Sequence, residues 1–149
     1  MIGIVTTRWQ RWVAFVGQQE TGEALALFRI VSGVALLVAV GAPALVGLTE
    51  AFWVDIEYGG MRKLQSSWLV DLLGGNTPQT AWTLVVGCIG ASLCLILGVS
   101  GRIAALVGGQ CLIALSHANT HARSSYDGLL INSLWLLVLA DSTAGGPDA

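Results

Sequence analysis

Long apolar stretches alternate with short polar segments along this chain of 149 residues. A membrane-spanning helix needs about 20 mostly apolar residues, because the hydrocarbon core is about 30 Å thick and each residue adds about 1.5 Å. Four stretches approach that length. The pattern predicts an all-α polytopic membrane protein whose transmembrane helices cover residues 24–48, 80–99, 102–118 and 128–144.

The N-terminal segment contains apolar residues at helical spacing. In residues 1–22, Val5, Trp9 and Val13 follow this pattern, which predicts an interfacial amphipathic helix lying in the headgroup region. A plain extension of the first span is the alternative interpretation. No cleavable signal peptide is expected, because no small-residue cleavage site follows a short apolar core.

The connection 49–78 is the longest between two predicted spans. Its residues Met61, Leu64 and Trp68 form an apolar stripe at helical spacing. This stripe predicts a second interfacial amphipathic helix over 61–72, ended by Gly74-Gly75-Asn76.

Small residues characterise the second and third spans. Residues such as Gly87 and Gly108 allow helix backbones to approach closely within a bilayer. The tight turn Ser100-Gly101-Arg102 joins these two spans into an antiparallel hairpin. Residues 23–145 therefore form one transmembrane domain, followed by a short polar tail at 146–149.

Composition agrees with this interpretation. Hydrophobic residues make up 54% of the chain and charged residues only 11%, against about 25% charged residues in soluble domains. The net charge of -2 and the absence of a basic run argue against nucleic acid as a partner. Cys88, Cys94 and Cys111 all fall in apolar stretches without a CxxC pair. They are expected to be buried small side chains, not disulfide or zinc ligands.

The orientation is weakly specified by charge. Apart from Arg29, the basic residues are divided evenly between the two predicted sides of the membrane, so the positive-inside rule gives no preference. Glu50, Asp55 and Glu57 all lie in the loop opposite the termini. We therefore expect cytoplasmic termini in a bacterial inner (cytoplasmic) membrane.

Several short motifs follow one another in a fixed order. They resemble the HTTM membrane domain that is shared with vitamin K-dependent gamma-carboxylase and, more distantly, the four-span DoxX/DoxD-like proteins. The resemblance covers about residues 25–144 and implies an all-helical membrane fold. The motifs are Leu25-Ala26-Leu27-Phe28-Arg29-Ile30, Tyr58-Gly59-Gly60-Met61, Leu97-Gly98-Val99-Ser100-Gly101-Arg102-Ile103-Ala104-Ala105, Leu115-Ser116-His117 and Asp127-Gly128-Leu129-Leu130.

The resemblance also implies candidate chemistry, either carboxylase-like or that of a membrane subunit of a quinone-linked oxidoreductase. Members of the family usually have an arginine three residues after an acidic residue at the start of the last span. Here Asp127 is followed at that spacing by Leu130. A shared anion or substrate site therefore lacks one of its expected groups.

Arg29 is the clearest intramembrane candidate, because a charge in hydrocarbon is costly and normally has a partner. The even number of spans places Asp141 on the same side of the membrane, so we predict an Arg29–Asp141 pair, with Glu23 as the competing partner. The alternative is that Arg29 extends to the headgroups. If the pair forms, we expect it to fasten the first span to the fourth and not to catalyse a reaction.

His117 and His121 would share a helix face if the third span continued through both. With Asp127, and with Asp55 or Glu57, they could form a nitrogen and oxygen metal site or a catalytic site. The alternative is an interfacial polar loop without ligands. No second motif supports metal binding, so no metal is predicted.

Gln110, Asn132 and Ser133 are polar groups within predicted spans. They are expected to form hydrogen bonds between helices, or else to line a site for lipid or a quinone headgroup. No other cofactor is predicted.

The sequence therefore favours a non-catalytic or accessory membrane subunit whose partners are the bilayer and other membrane proteins. The alternative is an HTTM- or DoxD-like membrane enzyme with a site near His117, His121 and Asp127. A small transporter ranks third, because the spans lack a broken-helix pair or a repeated half.

Overall fold

The computed structural model describes residues 22–121 and 124–140. Within these ranges every regular element is a helix, which confirms the all-α class. The predicted N-terminal helix, up to residue 21, lies outside the described residues, as do Asp141 and the tail. In chain order the helices are α1 (Gly22–Leu45), α2 (Thr49–Trp53), a 3₁₀ helix (Ile56–Tyr58), α3 (Trp68–Leu72), α4 (Pro78–Leu97), α5 (Gly101–Ala118) and α6 (Ser125–Ala140).

Two of the four long helices are long and apolar enough to cross a membrane. They are Glu23–Leu45 in α1, with 23 residues, and Pro78–Leu97, which is α4, with 20 residues. α6 is also apolar but has only 16 residues. The polar side chains of α5 include Gln110 and His117, which lower its apolar character.

The four long helices pack in sequence, α1 against α4, α4 against α5 and α5 against α6. α1 and α6 complete the bundle with a much smaller contact. Each helix contributes a fully buried leucine to one continuous core, namely Leu36, Leu95, Leu115 and Leu134. Burial of such side chains contributes about 1.5–3 kcal/mol each in water, whereas in lipid close packing takes over that role.

Glycines set the closest approaches between helices. A β-carbon on Gly33 of α1 would lie 3.0 Å from the Ser92 carbonyl oxygen of α4. A β-carbon on Gly108 of α5 would lie 2.8 Å from the Leu36 side chain. Gly108 thus has the close-packing role predicted from the sequence, and Gly33 has the same role although the sequence analysis did not identify it.

Residues 46–77, here called the connecting segment, cover the end of the bundle that also holds the α5–α6 loop. We call this end the far end, and the end with the α4–α5 turn the near end. The predicted helix over 61–72 was wrong for its first part, because only Trp68–Leu72 is helical. The reason is that preceding N–H groups bond elsewhere: Leu64 donates to the Asp55 carboxylate (3.0 Å) and Gln65 to the Ala118 carbonyl (3.1 Å).

Candidate functional site

Asp55 organises the start of the connecting segment. Its carboxylate accepts hydrogen bonds from the backbone N–H groups of Leu64 (3.0 Å) and Glu57 (3.2 Å). These bonds, with the nearby charge of Lys63, hold the pKa of Asp55 below its usual value. The carboxylate therefore stabilises a turn, and its oxygens are already used by this chain.

Gly60 lies at the tightest point of the same turn. A β-carbon there would lie 1.8 Å from the Val54 carbonyl oxygen, so only glycine fits. The Gly60 N–H also donates to the Asp55 carbonyl (3.0 Å). The Tyr58-Gly59-Gly60-Met61 motif is thus explained by local backbone geometry, with Gly59 at φ 98° ending the 3₁₀ helix.

Asn119 fastens the connecting segment to α5. Its side-chain Nδ2 donates to the Phe52 carbonyl (2.8 Å) across 67 positions of sequence. The Asn119 side chain also accepts a hydrogen bond from the His121 N–H (3.2 Å). The role of Asn119 was not predicted, because nothing in the sequence links it to Phe52, which lies 67 positions earlier.

The structure separates the two histidines. α5 ends at Ala118 and Asn119 has extended backbone, so His121 is not on the helix that carries His117. The condition for a shared helix face is therefore not met, and both side chains are exposed. Among the described residues there is no group of three or more His, Cys, Asp or Glu side chains that could hold a metal ion.

Asp127 lies at the start of α6 in a reciprocal capping arrangement. Its carboxylate accepts from the Ser124 N–H (3.0 Å), and the Ser124 hydroxyl oxygen accepts from the Tyr126 N–H (3.3 Å). Asp127 is half-buried and sits in the first turn of the helix. The Ser-x-x-Asp spacing is a capping signal in the sequence, and it identifies Ser124 as the N-cap of α6.

Arg29 lies beneath the α4–α5 turn at the near end. A β-carbon on Gly98 would lie 2.7 Å from one of its terminal nitrogens, and a small cavity beside it is lined by Leu25, Gly101 and Leu137. The Arg29 Nε is buried without a hydrogen bond among the described residues. The proposed partner Asp141 lies outside those residues, and the competing Glu23 is exposed.

The polar groups within the predicted spans differ in their surroundings. Gln110 is half-buried in the contact between α5 and α6, and Asn132 is exposed. The Ser133 hydroxyl donates to the Leu129 carbonyl (2.9 Å) within its own helix, so this bond does not join two helices. Cys88 is buried, whereas Cys94 and Cys111 are only half-buried, and all three are free thiols.

A groove of about 630 Å³ runs between α1 and α6, where the bundle is least tightly closed. Apolar side chains from both helices form its walls, including Val31, Val38 and Leu129. Polar side chains of the α6 start, Tyr126 and Asp127, lie at its far end. The volume of this groove is about twice that of the polar pocket lined by Arg62, Lys63 and His121.

Comparisons with protein-family models, curated proteins and solved structures found no match to this chain. The resemblance to the HTTM domain and to DoxX/DoxD-like proteins therefore stays a prediction from the motifs.

Proposed function

We propose that this chain is a four-span integral membrane protein that acts as a non-catalytic or accessory subunit of a larger membrane complex and holds lipid or quinone. The observation that carries the membrane assignment is the outer surface of the bundle. Large apolar side chains are exposed on all four long helices, whereas soluble monomers rarely have contiguous exposed apolar patches above a few hundred Å². Examples are Leu27, Val86, Ile103 and Leu139, one on each long helix, each more than three-fifths exposed.

The burial of the two longest helices supports the same assignment. Only 22% of an apolar 18-residue stretch of α1 is buried inside the bundle, and 44% of the corresponding stretch of α4. A core helix of a soluble protein would be mostly buried, so these two helices fit lipid contact better. Ile103 of α5 and Leu129 of α6 are about as exposed as Leu27 of α1, which supports spans by the two shorter helices as well.

The subunit role is supported by how the polar groups are used. Asp55 bonds to backbone in the connecting segment, Asp127 caps α6 and Asn119 fastens two elements together. An outward face of α4 remains available for a partner, with Val86, Gly90 and Leu93 exposed at helical spacing. A flat face of this kind allows close contact with another membrane helix.

The test is the size of the native assembly in membranes. The full chain is expressed in its own host, solubilised in mild detergent and separated by native electrophoresis with a tag on the chain. We expect a species clearly larger than the single chain. Migration as an isolated monomer under several mild detergents would contradict the subunit role.

A matched pair of variants sharpens this test. A β-carbon on Gly90 meets nothing within 4 Å, so Gly90→Leu leaves the fold intact but fills the outward face of α4. We expect it to release the chain from the larger species. Gly41→Leu, which adds the same side chain to α1 in ordinary packing space, is the control and should leave the assembly unchanged.

A membrane enzyme with a site near His117, His121 and Asp127, either carboxylase-like or a quinone-linked oxidoreductase, is the second candidate. One observation favours it: a polar pocket of about 310 Å³ at the far end brings Arg62 and Lys63 to His121. Quinone-dependent turnover by the purified assembly that is lost in His121→Ala would favour this candidate over the accessory role.

A further inference from the structure

The groove between α1 and α6 has a mostly apolar body, which also contains Ser32 and Ser133, and a polar mouth. Val31 and Val38 of α1 and Leu129 of α6 line it, and each is more than half exposed. At the far end the lining changes to Ser124, Tyr126 and Asp127. Under the four-span arrangement this end lies at the headgroup level, so the groove matches an amphipathic molecule aligned with the bilayer.

Charge at the mouth selects the headgroup. Among the described residues, Asp127 is the only charged one that lines the groove, and one of its carboxylate oxygens accepts the Ser124 N–H. Within the same part of the chain, the other oxygen can accept a hydrogen bond from a ligand. A carboxylate favours an ammonium group with N–H donors and disfavours quinone carbonyls, which are acceptors themselves.

The neighbouring hydroxyl groups fit the rest of such a headgroup. The Ser124 hydroxyl oxygen accepts from the Tyr126 N–H, which leaves its own proton available. The Tyr126 side chain is 78% exposed, and its phenol can also donate. Two hydroxyl donors beside a carboxylate suit a phosphate next to an ammonium group.

The volume of the groove limits its occupant. Its 630 Å³ is typical of small-ligand sites, which range over about 300–1,000 Å³. A helix has a diameter of about 10 Å, so even three turns of it would occupy more than about 1,000 Å³. An acyl chain fits inside the walls, whereas a partner helix would have to lie outside them, across the opening.

We propose that the groove binds a phospholipid with a primary ammonium headgroup, its acyl chain between α1 and α6 and its ammonium paired with Asp127. Phosphatidylethanolamine has this chemistry. The inference rests on the membrane part of the proposed function, because it needs α6 to lie in the bilayer, but it is independent of the subunit role.

The test uses the full chain, extracted from membranes, stripped of lipid by detergent exchange and then mixed with one added lipid. The added lipids are phosphatidylethanolamine, phosphatidylcholine and phosphatidylglycerol with identical acyl chains. Native mass spectrometry measures how much of each the chain retains. We expect about tenfold preference for phosphatidylethanolamine, as one charge-assisted hydrogen bond provides. Asp127→Asn should remove that preference, while its amide oxygen still accepts the Ser124 N–H and keeps the α6 cap. Glu57→Gln, outside the groove, is the charge control and should keep it.

A second pair of variants tests the groove itself. Val31→Trp fills it and should reduce retention of all three lipids about tenfold, whereas Ile103→Trp on the similarly exposed outer face of α5 should not. An unchanged headgroup preference in Asp127→Asn, or equal retention by the two tryptophan variants, would overturn the proposal. So would cross-linking of a protein helix, in place of lipid, to a photoreactive residue at position 31.

The two proposals fail in different ways. A chain released from membranes by alkaline carbonate would refute the membrane assignment and the groove proposal together. A chain that stays in the membrane but shows no lipid preference would refute only the groove proposal.

Discussion

Gly60 shows how a single missing side chain determines the path of the connecting segment. Gly60→Ala would place a β-carbon 1.8 Å from the Val54 carbonyl oxygen, so the backbone must shift. We expect this change to lower the free energy of unfolding by about 3 kcal/mol.

Thermal unfolding of the purified protein in detergent measures this loss. Gly128→Ala is the control, because a β-carbon there meets nothing within 4 Å and alanine favours the helix by up to about 1 kcal/mol. Equal stability of the two variants would show that the Gly60 turn can rearrange freely.

Asp55 should make the connecting segment sensitive to acid. Its pKa is lowered in the folded state by the Leu64 and Glu57 N–H groups, so it stabilises the fold above its ordinary pKa of 3.8. This stabilisation is lost as the pH falls below 3.8 through the lower, folded-state pKa. Asp55→Asn should therefore show a smaller loss of stability than the parent protein over that acidic range.

The measurement is the midpoint of thermal unfolding of both proteins between neutral and acidic pH. Glu50→Gln serves as the matched control, since Glu50 is an exposed carboxylate in the same segment. If Asp55→Asn and the parent protein responded equally to acid, the Asp55 hydrogen bonds would not contribute to stability.

For single residues, the sequence predicted some roles and missed others. The cap at the start of α6 has a signal in the sequence, because Ser124 and Asp127 are three residues apart and bond locally. The role of Asp55 was not, because its partner Leu64 is nine residues away and offers only a backbone N–H. Gly60 belongs to a recognisable motif, but its close contact with Val54 needs the folded turn.

At the near end, α1 meets the α4–α5 turn where Arg29 lies against Gly98. Gly98 has φ 78° and its α-carbon faces the Arg29 guanidinium. Gly47 has φ 73° with nothing within 4 Å, so the two glycines share a backbone conformation and differ in their neighbours. Gly47→Ala should cost about 1–2 kcal/mol from backbone strain alone.

We expect Gly98→Ala to cost about 1 kcal/mol more than Gly47→Ala, because the Arg29 side chain must move away. In an Arg29→Ala background that additional cost should disappear, while the cost of Gly47→Ala should be unchanged. A double-mutant cycle on unfolding free energies measures this coupling. Zero coupling would mean that Arg29 does not pack on the turn in the protein.

Periodicity predicted the long helices well and the short ones poorly. Apolar runs locate α1, α4, α5 and α6 because helices in a bundle each need an apolar face. The stripe from Met61 to Trp68 has the same spacing, yet it is not helical before Trp68. Its N–H groups bond to Asp55 and to the end of α5, and such distant partners leave no periodic signal.

For the molecule as a whole, the four-span arrangement predicts that the connecting segment and the α5–α6 loop lie on the same side of the membrane. In a chain with Cys88, Cys94 and Cys111 replaced, single cysteines at the exposed positions Glu57, Arg102 and Thr120 report the topology. Four spans predict that the cysteines at 57 and 120 react with a membrane-impermeant reagent from one side and the cysteine at 102 from the other.

A two-span arrangement predicts a different labelling pattern. If only α1 and α4 crossed the bilayer, the cysteines at 102 and 120 would react from the same side. Labelling of intact cells and of inverted membrane vesicles separates the two arrangements. The sequence predicts four spans, and the two-span alternative arises because α5 and α6 are shorter or more polar than α1 and α4.

The bond between Asn119 and Phe52 also has a consequence for biogenesis. Its two residues are 67 positions apart, so at about 5–20 residues per second Phe52 is made roughly 3–13 seconds before Asn119. During that interval the connecting segment lacks its hydrogen bonds to the end of α5, which join Phe52 to Asn119 and Gln65 to Ala118. The connecting segment therefore reaches its final position only after α4 and α5, which follow it in the chain, have both been made.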